Sequence, residues 1–274
     1  MKIKILTILG LFTILLSCSS DNQSNIPDDS NTNPTNAYLP LKTTSYWIYD
    51  VSSSTINERD SLYVDNDITI NSKTYKSLKT QNAAFGFYSN SLRNNGLRKE
   101  GNSLLFSGSF GNNTIEQLSL NIALDDFVIF KEDAPNKTTL SSISGEVSQV
   151  IEGYSAYPLK LKYKMKTTAV ENLPTYMDPN GTMYSEVKAV KTILNLDISI
   201  SILSNPVTIM TPQDVVTSVQ YFAKNIGMVH AKTTINYQLD TKKLDILSNY
   251  GITIPIPQSF NDVQEEVLDT YKVE

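Results

Sequence analysis

One cysteine, one histidine and one tryptophan occur in 274 residues. A lone cysteine excludes an intramolecular disulfide framework and any cysteine-cluster metal site. A lone histidine excludes the common multi-histidine zinc sites. Positive charge is also in deficit: 23 Lys and Arg stand against 28 Asp and Glu, a formal net charge of -5. A nucleic-acid binder held by a strong overall positive charge is therefore not expected. Glycine and proline number 11 each, too few for a collagen-like or low-complexity polymer. With 40% hydrophobic and 19% charged residues, the composition is that of a folded globular chain. Its length leaves room for one large all-β domain or two small ones.

The beginning of the chain carries the strongest address. Lys2 and Lys4 precede an apolar run over residues 5–16 that is interrupted only by Thr7, Gly10 and Thr13. As a helix that run is roughly 18 Å long, too short for a hydrocarbon core of ~30 Å. It reads as the apolar core of a secretory signal. Next comes Leu15-Leu16-Ser17-Cys18, which resembles the lipobox of bacterial lipoproteins. The resemblance implies cleavage after Ser17, a diacylglyceryl group on the sulfur of Cys18, and acylation of the new amine. Two or more acyl chains suffice for stable membrane attachment. The alternative is an ordinary secretory signal in which Cys18 is incidental.

Residues 1–17 are thus expected to be a lipoprotein signal peptide and 18–37 a lipid-anchored flexible tether. Between 19 and 36, Ile26 stands alone among Ser, Asn, Asp, Thr, Gln and Pro, a segment that cannot bury enough surface to offset its ordering entropy. Ser19 takes the place of the aspartate that retains enterobacterial lipoproteins at the inner membrane. The expected location is the outer membrane, with the periplasmic and surface faces both open.

From residue 38 the dominant period is two. Between 190 and 202 the even positions are Val190, Thr192, Leu194, Leu196, Ile198, Ile200 and Ile202, and all the odd ones but Ile193 are polar. That alternation predicts a strand with one buried face, and one longer than usual. Val229, Ala231, Thr233, Ile235, Tyr237 and Leu239 repeat the pattern, with His230 and Lys232 on the polar side. So do Tyr157, Leu159, Leu161, Tyr163 and Met165, opposed by Lys160, Lys162, Lys164 and Lys166. Shorter strands are expected over 46–51, 61–65, 68–77, 85–88, 96–100, 103–106, 127–130, 145–152 and 215–223. Turns are expected at Asp65-Asn66-Asp67, Asn94-Asn95-Gly96, Gly101-Asn102 and Asp178-Pro179-Asn180-Gly181. Only the end offers a helix: Ser259 as cap, with Val263, Val267 and Tyr271 at i, i+4 and i+8. A last strand over 267–273 fits there equally well.

Sheets with one apolar face must be covered, and almost no helix is available to cover this one. The expected fold is all-β and mainly antiparallel. It is one strongly curved sheet over 38–274, as a half-open barrel or a sandwich, with at most a short C-terminal helix.

Two motifs sharpen this expectation. Pro40-Leu41 leads into Trp47-Ile48-Tyr49, and Tyr221-Phe222-Ala223-Lys224-Asn225-Ile226-Gly227-Met228-Val229 reads as a strand, a tight turn and a strand. Together they resemble uncharacterised Bacteroidota outer-membrane lipoproteins of the DUF3108-like and LolA-like group of half-open β-barrels. Asn225 departs from that pattern where it has glycine, a mild change because Asn tolerates positive φ. The resemblance implies a fold and carries over no catalytic residue.

Candidate chemistry is sparse. His230 is the one neutral-pH proton carrier, and its place on the polar face reads as a solvent-exposed strand histidine. The pairs Asp125-Asp126 and Glu265-Glu266 put adjacent carboxylates on opposite faces of a strand, which reads as surface charge. Asp65-Asn66-Asp67 lacks the glycine and distant glutamate of a calcium loop. Trp47, Tyr46 and Tyr49 read as packing. Asp60-Ser61-Leu62 resembles the periplasmic O-glycosylation motif of Bacteroidota.

The least ordinary feature is the stripe Lys160, Lys162, Lys164 and Lys166, four cations ~6.6 Å apart on one strand face. It is either an anion-facing ridge for a lipid or glycan ligand, or a face neutralised by acids on adjacent strands. The function expected is a non-enzymatic, lipid-anchored envelope lipoprotein acting as a binding or envelope-assembly module, with no cofactor or metal. Its partners are the membrane through acylated Cys18 and a lipid or glycan. The alternative is a carrier that holds an acyl chain or a lipoprotein in the concave apolar face.

Overall fold

The computed structural model describes residues 38–111, 120–150, 157–202, 205–254 and 256–273. Cys18, the tether and the end of the strand expected over 145–152 lie outside them. Among the described residues twelve strands and two short helices follow in order: β1 (Tyr46–Ser52), β2 (Asn57–Ile70), β3 (Lys73–Thr80), α1 (Phe87–Leu92), β4 (Gly96–Glu100), β5 (Ser103–Phe110), β6 (Ile122–Lys131), β7 (Thr139–Gln149), β8 (Leu159–Met177), β9 (Met183–Ile202), β10 (Asn205–Ala223), β11 (Gly227–Gln238), α2 (Thr241–Asn249) and β12 (Ser259–Lys272).

All twelve strands belong to one sheet of order β6-β5-β4-β3-β2-β1-β12-β11-β10-β9-β8-β7. The first six form one meander and the last six another, joined where β1 pairs antiparallel with β12. The two outermost strands, β6 and β7, are neighbours in sequence, so the sheet curls until it is nearly closed into a barrel. Side chains stitch the seam between them. The backbone N–H of Val128 on β6 donates to Ser141 Oγ on β7 (2.9 Å), and Thr167 Oγ1 on β8 donates to the carbonyl of Val128 (2.6 Å).

The alternation over 190–202 is realised on β9: Val190, Leu194, Leu196, Ile198 and Ile200 are buried, while Lys191, Asn195 and Asp197 are not. The two quoted motifs meet in space. The Trp47 indole N–H donates to the carbonyl of Ile226 (2.6 Å), and the Tyr49 hydroxyl donates to that of Met228 (3.1 Å). Gly227 between them has φ +118, and a Cβ there would lie 2.9 Å from the indole nitrogen. The tight turn therefore needs glycine for its backbone and for its space.

Three local expectations are corrected. Asp65-Asn66-Asp67 is not a turn. It lies within β2 at a bulge between Val64 and Asp67, and the chain reverses instead at Asn71 and Ser72, both at positive φ. Residues 87 and 88 open α1 rather than ending a strand. The helix offered for 259–271 is strand β12, and the short helix near the C-terminus is α2, capped by Asp240, which accepts from the Lys243 N–H (3.2 Å).

Helix α1 packs into the core, burying Phe87, Tyr88, Ser89 and Leu92. Tyr88 meets the rings of Tyr49 and Phe222 edge-on, and Phe87 meets Phe110 in the same way. Six residues cannot hold a helix on their own. Wall side chains hold this one.

Candidate functional site

The lysine stripe sits where the alternation puts it. On β8, Leu159, Leu161 and Met165 are buried, while Lys160 and Lys166 are half-buried and Lys162 and Lys164 exposed. Register shows what faces each lysine. Lys160 faces Ser148 and Ser199, and it makes an ion pair with Glu146 (3.6 Å). Lys162 lies between Glu146 and Asp197, Lys164 between Ser144 and Asn195, and Lys166 between Ser142 and Ile193. Lys162, Lys164 and Lys166 make no ion pair among the described residues. The next acid across the sheet, Asp214, accepts from Asn195 Nδ2 (2.9 Å). The stripe is a cationic ridge with one ion pair among the described residues and with Glu146 and Asp197 on either side of Lys162.

His230 does lie on the outer face, but it is buried, at 5% exposure. The expectation of a solvent-exposed histidine is overturned because the far end of β8 covers it. Tyr176 and Tyr221 stack at 4.2 Å between centroids, and Tyr221 lies nearly parallel to the imidazole at 5.4 Å. The Tyr176 hydroxyl meets His230 Nδ1 at 2.5 Å. Burial, reinforced by Tyr221 and by carboxylates including Glu265, pushes that phenol well above its ordinary range. His230 Nε2 meets a Glu265 oxygen, and the other oxygen of that carboxylate takes Lys232 (2.9 Å). Each polar group of the network has a partner, and a phenol held protonated is a poor nucleophile at neutral pH. The arrangement is a satisfied polar network.

The carboxylate pairs divide. Asp126 sits at φ +49 and binds Arg98 Nε (2.8 Å), the Tyr75 hydroxyl (2.6 Å) and Lys73. The guanidinium of Arg98 holds its carboxyl far below the usual range. Asp65 and Asp67 pair with Lys79 and Lys76, each at 2.5 Å. The Asp65 and Asp67 pairs lie at the surface, whereas the Asp126 cluster is half-buried. The expectation that Asp125 and Asp126 take opposite faces is corrected: the positive φ of Asp126 brings both to Ser107. Glu266 is not surface charge: it is 1% exposed and accepts from the N–H groups of Tyr88 (2.5 Å) and Ser89 (3.2 Å) and from the Ser89 hydroxyl (3.0 Å). Its neighbour Glu265 faces outward to His230.

Two further wall residues complete the clamp on α1. Asp60 accepts from the N–H groups of Phe85 (2.9 Å) and Gly86 (2.7 Å), and Gln264 accepts from Phe87 N–H (2.6 Å) while donating to the Phe85 carbonyl (2.9 Å). Free amides at a helix start are thereby satisfied from the sheet. Asp60-Ser61-Leu62 lies inside β2 with its aspartate 2% exposed and the Ser61 hydroxyl accepting from Gln81 N–H (3.1 Å). The sequence pointed to Asp60 as part of a glycosylation motif and to Glu266 as surface charge, and passed over Gln264. Their joint role is not legible there because the shared partner, α1, is far from Gln264 and Glu266 in the chain.

Trp47 and Tyr49 are both fully buried. Among the described residues no three His, Cys, Asp or Glu are grouped to hold a metal ion, and no helix is long and apolar enough to cross a membrane.

No protein-family model and no curated protein matches the chain. Among solved structures, a chain from Parabacteroides distasonis described as a lipoprotein is similar at 10% identity and a TM-score of 0.36, covering 86% of this chain and 99% of that one.

Proposed function

We propose that the protein is a lipid-anchored lipoprotein of the cell envelope, held at the outer membrane by acylated Cys18. Its barrel acts as a non-enzymatic binding or envelope-assembly module. The observation that carries the binding role is the ridge on β8, where Lys162, Lys164 and Lys166 lack ion-pair partners among the described residues. A row of four cations with one ion pair and two flanking acids is only partly neutralised, and an anionic surface would complete the compensation. Near an anionic bilayer each lysine contributes ~1 kcal/mol, so the row suffices to draw a tethered body against headgroups.

A carrier of a whole acyl chain would need the concave space that Trp47, Tyr49, Phe106 and Phe222 fill, all at most 2% exposed. The filled interior favours binding on the outer face.

Co-sedimentation with vesicles rich in anionic lipid tests the reading. The Cys18→Ser chain binds at low salt, loses affinity as salt rises past the ~8 Å screening length of physiological buffer, and stops binding when all four lysines become glutamine. Wild-type ridge that never binds at low salt contradicts the proposal.

A further inference from the structure

Between α1 and the wall lies a small pocket of about 40 Å³ open to water-sized occupants. Its lining is mostly apolar, with Leu92 on α1, Phe106 on β5, Met165 on β8 and Phe222 on β10. Polar side chains reach it from both walls, Tyr88 and Ser91 on α1 and Thr192 and Gln220 on β9 and β10. No charged residue lines it.

Tyr88 is 5% exposed, and its hydroxyl is buried with no hydrogen-bond partner among the described residues. Gln220 is 6% exposed. It donates one amide hydrogen to Ser218 Oγ (2.7 Å) and accepts only a long contact from Thr192 Oγ1 (3.4 Å). The second amide hydrogen has no acceptor among the described residues. A buried hydroxyl without a partner is penalised relative to phenylalanine at the same place, and buried polar groups almost always find partners. Here two under-satisfied groups line one cavity of otherwise apolar character. Convergent polar groups in an apolar pocket are the usual form of a small-ligand site.

We infer that this pocket binds a short neutral amphiphile: an apolar tail of a few carbons, ending in a hydroxyl or a primary amide. The tail lies among Leu92, Phe106, Met165 and Phe222. The head accepts from the Tyr88 hydroxyl and the free amide hydrogen of Gln220. A charged head is disfavoured because no ion in the lining offsets its desolvation. The pocket reaches the seam, with Ile129 on β6 and Met165 on β8 in its wall. The site is independent of the lysine ridge, and each can fail without the other.

Saturation-transfer NMR of the full chain with 1-butanol and with butanoate tests this. Butanol should bind saturably, and butanoate at least ~10-fold more weakly. Tyr88→Phe should weaken butanol ~3- to 10-fold, the equivalent of one neutral hydrogen bond, while melting no lower than wild type. Leu92→Phe should fill the pocket and abolish binding. If that variant does not fold, Ile129→Trp at the half-exposed rim replaces it. The inference is overturned by absent or non-saturable butanol binding, by equal binding of butanoate, or by undiminished binding to the filled variant. It is equally overturned if Tyr88→Phe melts several degrees lower, because the hydroxyl then has a partner within the protein.

Discussion

Gly86 lies so close to Glu266 that a Cβ at position 86 would stand 2.2 Å from the Glu266 Cδ and Oε2. Its backbone, at φ -71 and ψ 140, is open to any residue, so the need for glycine is one of space. Gly86→Ala should therefore cost about 1–3 kcal/mol, the range for overpacking a well-filled core. In urea titrations, Gly86→Ala combined with Glu266→Ala should cost less than the two single changes added together, because the clash is removed. Strict additivity would mean that the two residues do not press on each other.

Burial pushes the Glu266 carboxyl from its ordinary 4.5 up to about 7, against the hydrogen bonds of Tyr88 and Ser89, which favour the charged form. Burial likewise raises Asp60 beside it. A carboxyl that binds its proton more tightly folded than unfolded stabilises the fold below pH 4.5. That contribution is lost as pH rises through about 7. At 1.36 kcal/mol per unit the loss for Glu266 is at most about 3 kcal/mol. The stability difference between wild type and Glu266→Gln, measured from pH 4.5 to 8, should shift in favour of the variant as pH rises. A difference that is flat with pH would place the Glu266 carboxyl near its ordinary value.

The seam depends on two hydroxyls bonded to Val128. Ser141→Ala leaves the Val128 N–H without its acceptor, and Thr167→Val leaves the Val128 carbonyl without its donor. Each change should cost about 1 kcal/mol, the low end of the penalty for an orphaned group, because both contacts are only half-buried. Amide exchange at Val128 should quicken in Ser141→Ala while amides in the middle of β9 keep their protection. Uniform acceleration across the sheet would show that the seam does not open on its own.

Alternation made the long strands legible. Over Val190–Ile200 of β9 and Leu159–Met165 of β8 the apolar residues, Ile193 aside, alternate toward the core, and a period of two records it directly. The lysine stripe was legible for the same reason, but the acids opposite it were not, because pairing depends on register between strands far apart in sequence. Helix α1 left no local trace: Phe85 to Tyr88 is a short apolar run that fits a strand equally well, and its helical form is imposed by Asp60, Gln264 and Glu266. His230 shows the complementary failure. Its face was read correctly and its burial was not, since the cover comes from Tyr176 and Tyr221 on two other strands. Asp65-Asn66-Asp67 has turn composition, yet salt bridges to Lys79 and Lys76 hold it in a bulged strand.

The envelope lipoprotein reading rests first on Cys18. Metabolic labelling of expressing cells with a clickable fatty acid, comparing wild type with Cys18→Ala, tests it most directly. Wild type should carry the label and fractionate with the outer membrane, while Cys18→Ala should carry none. Equal labelling of the two, or no label on wild type, would contradict the account.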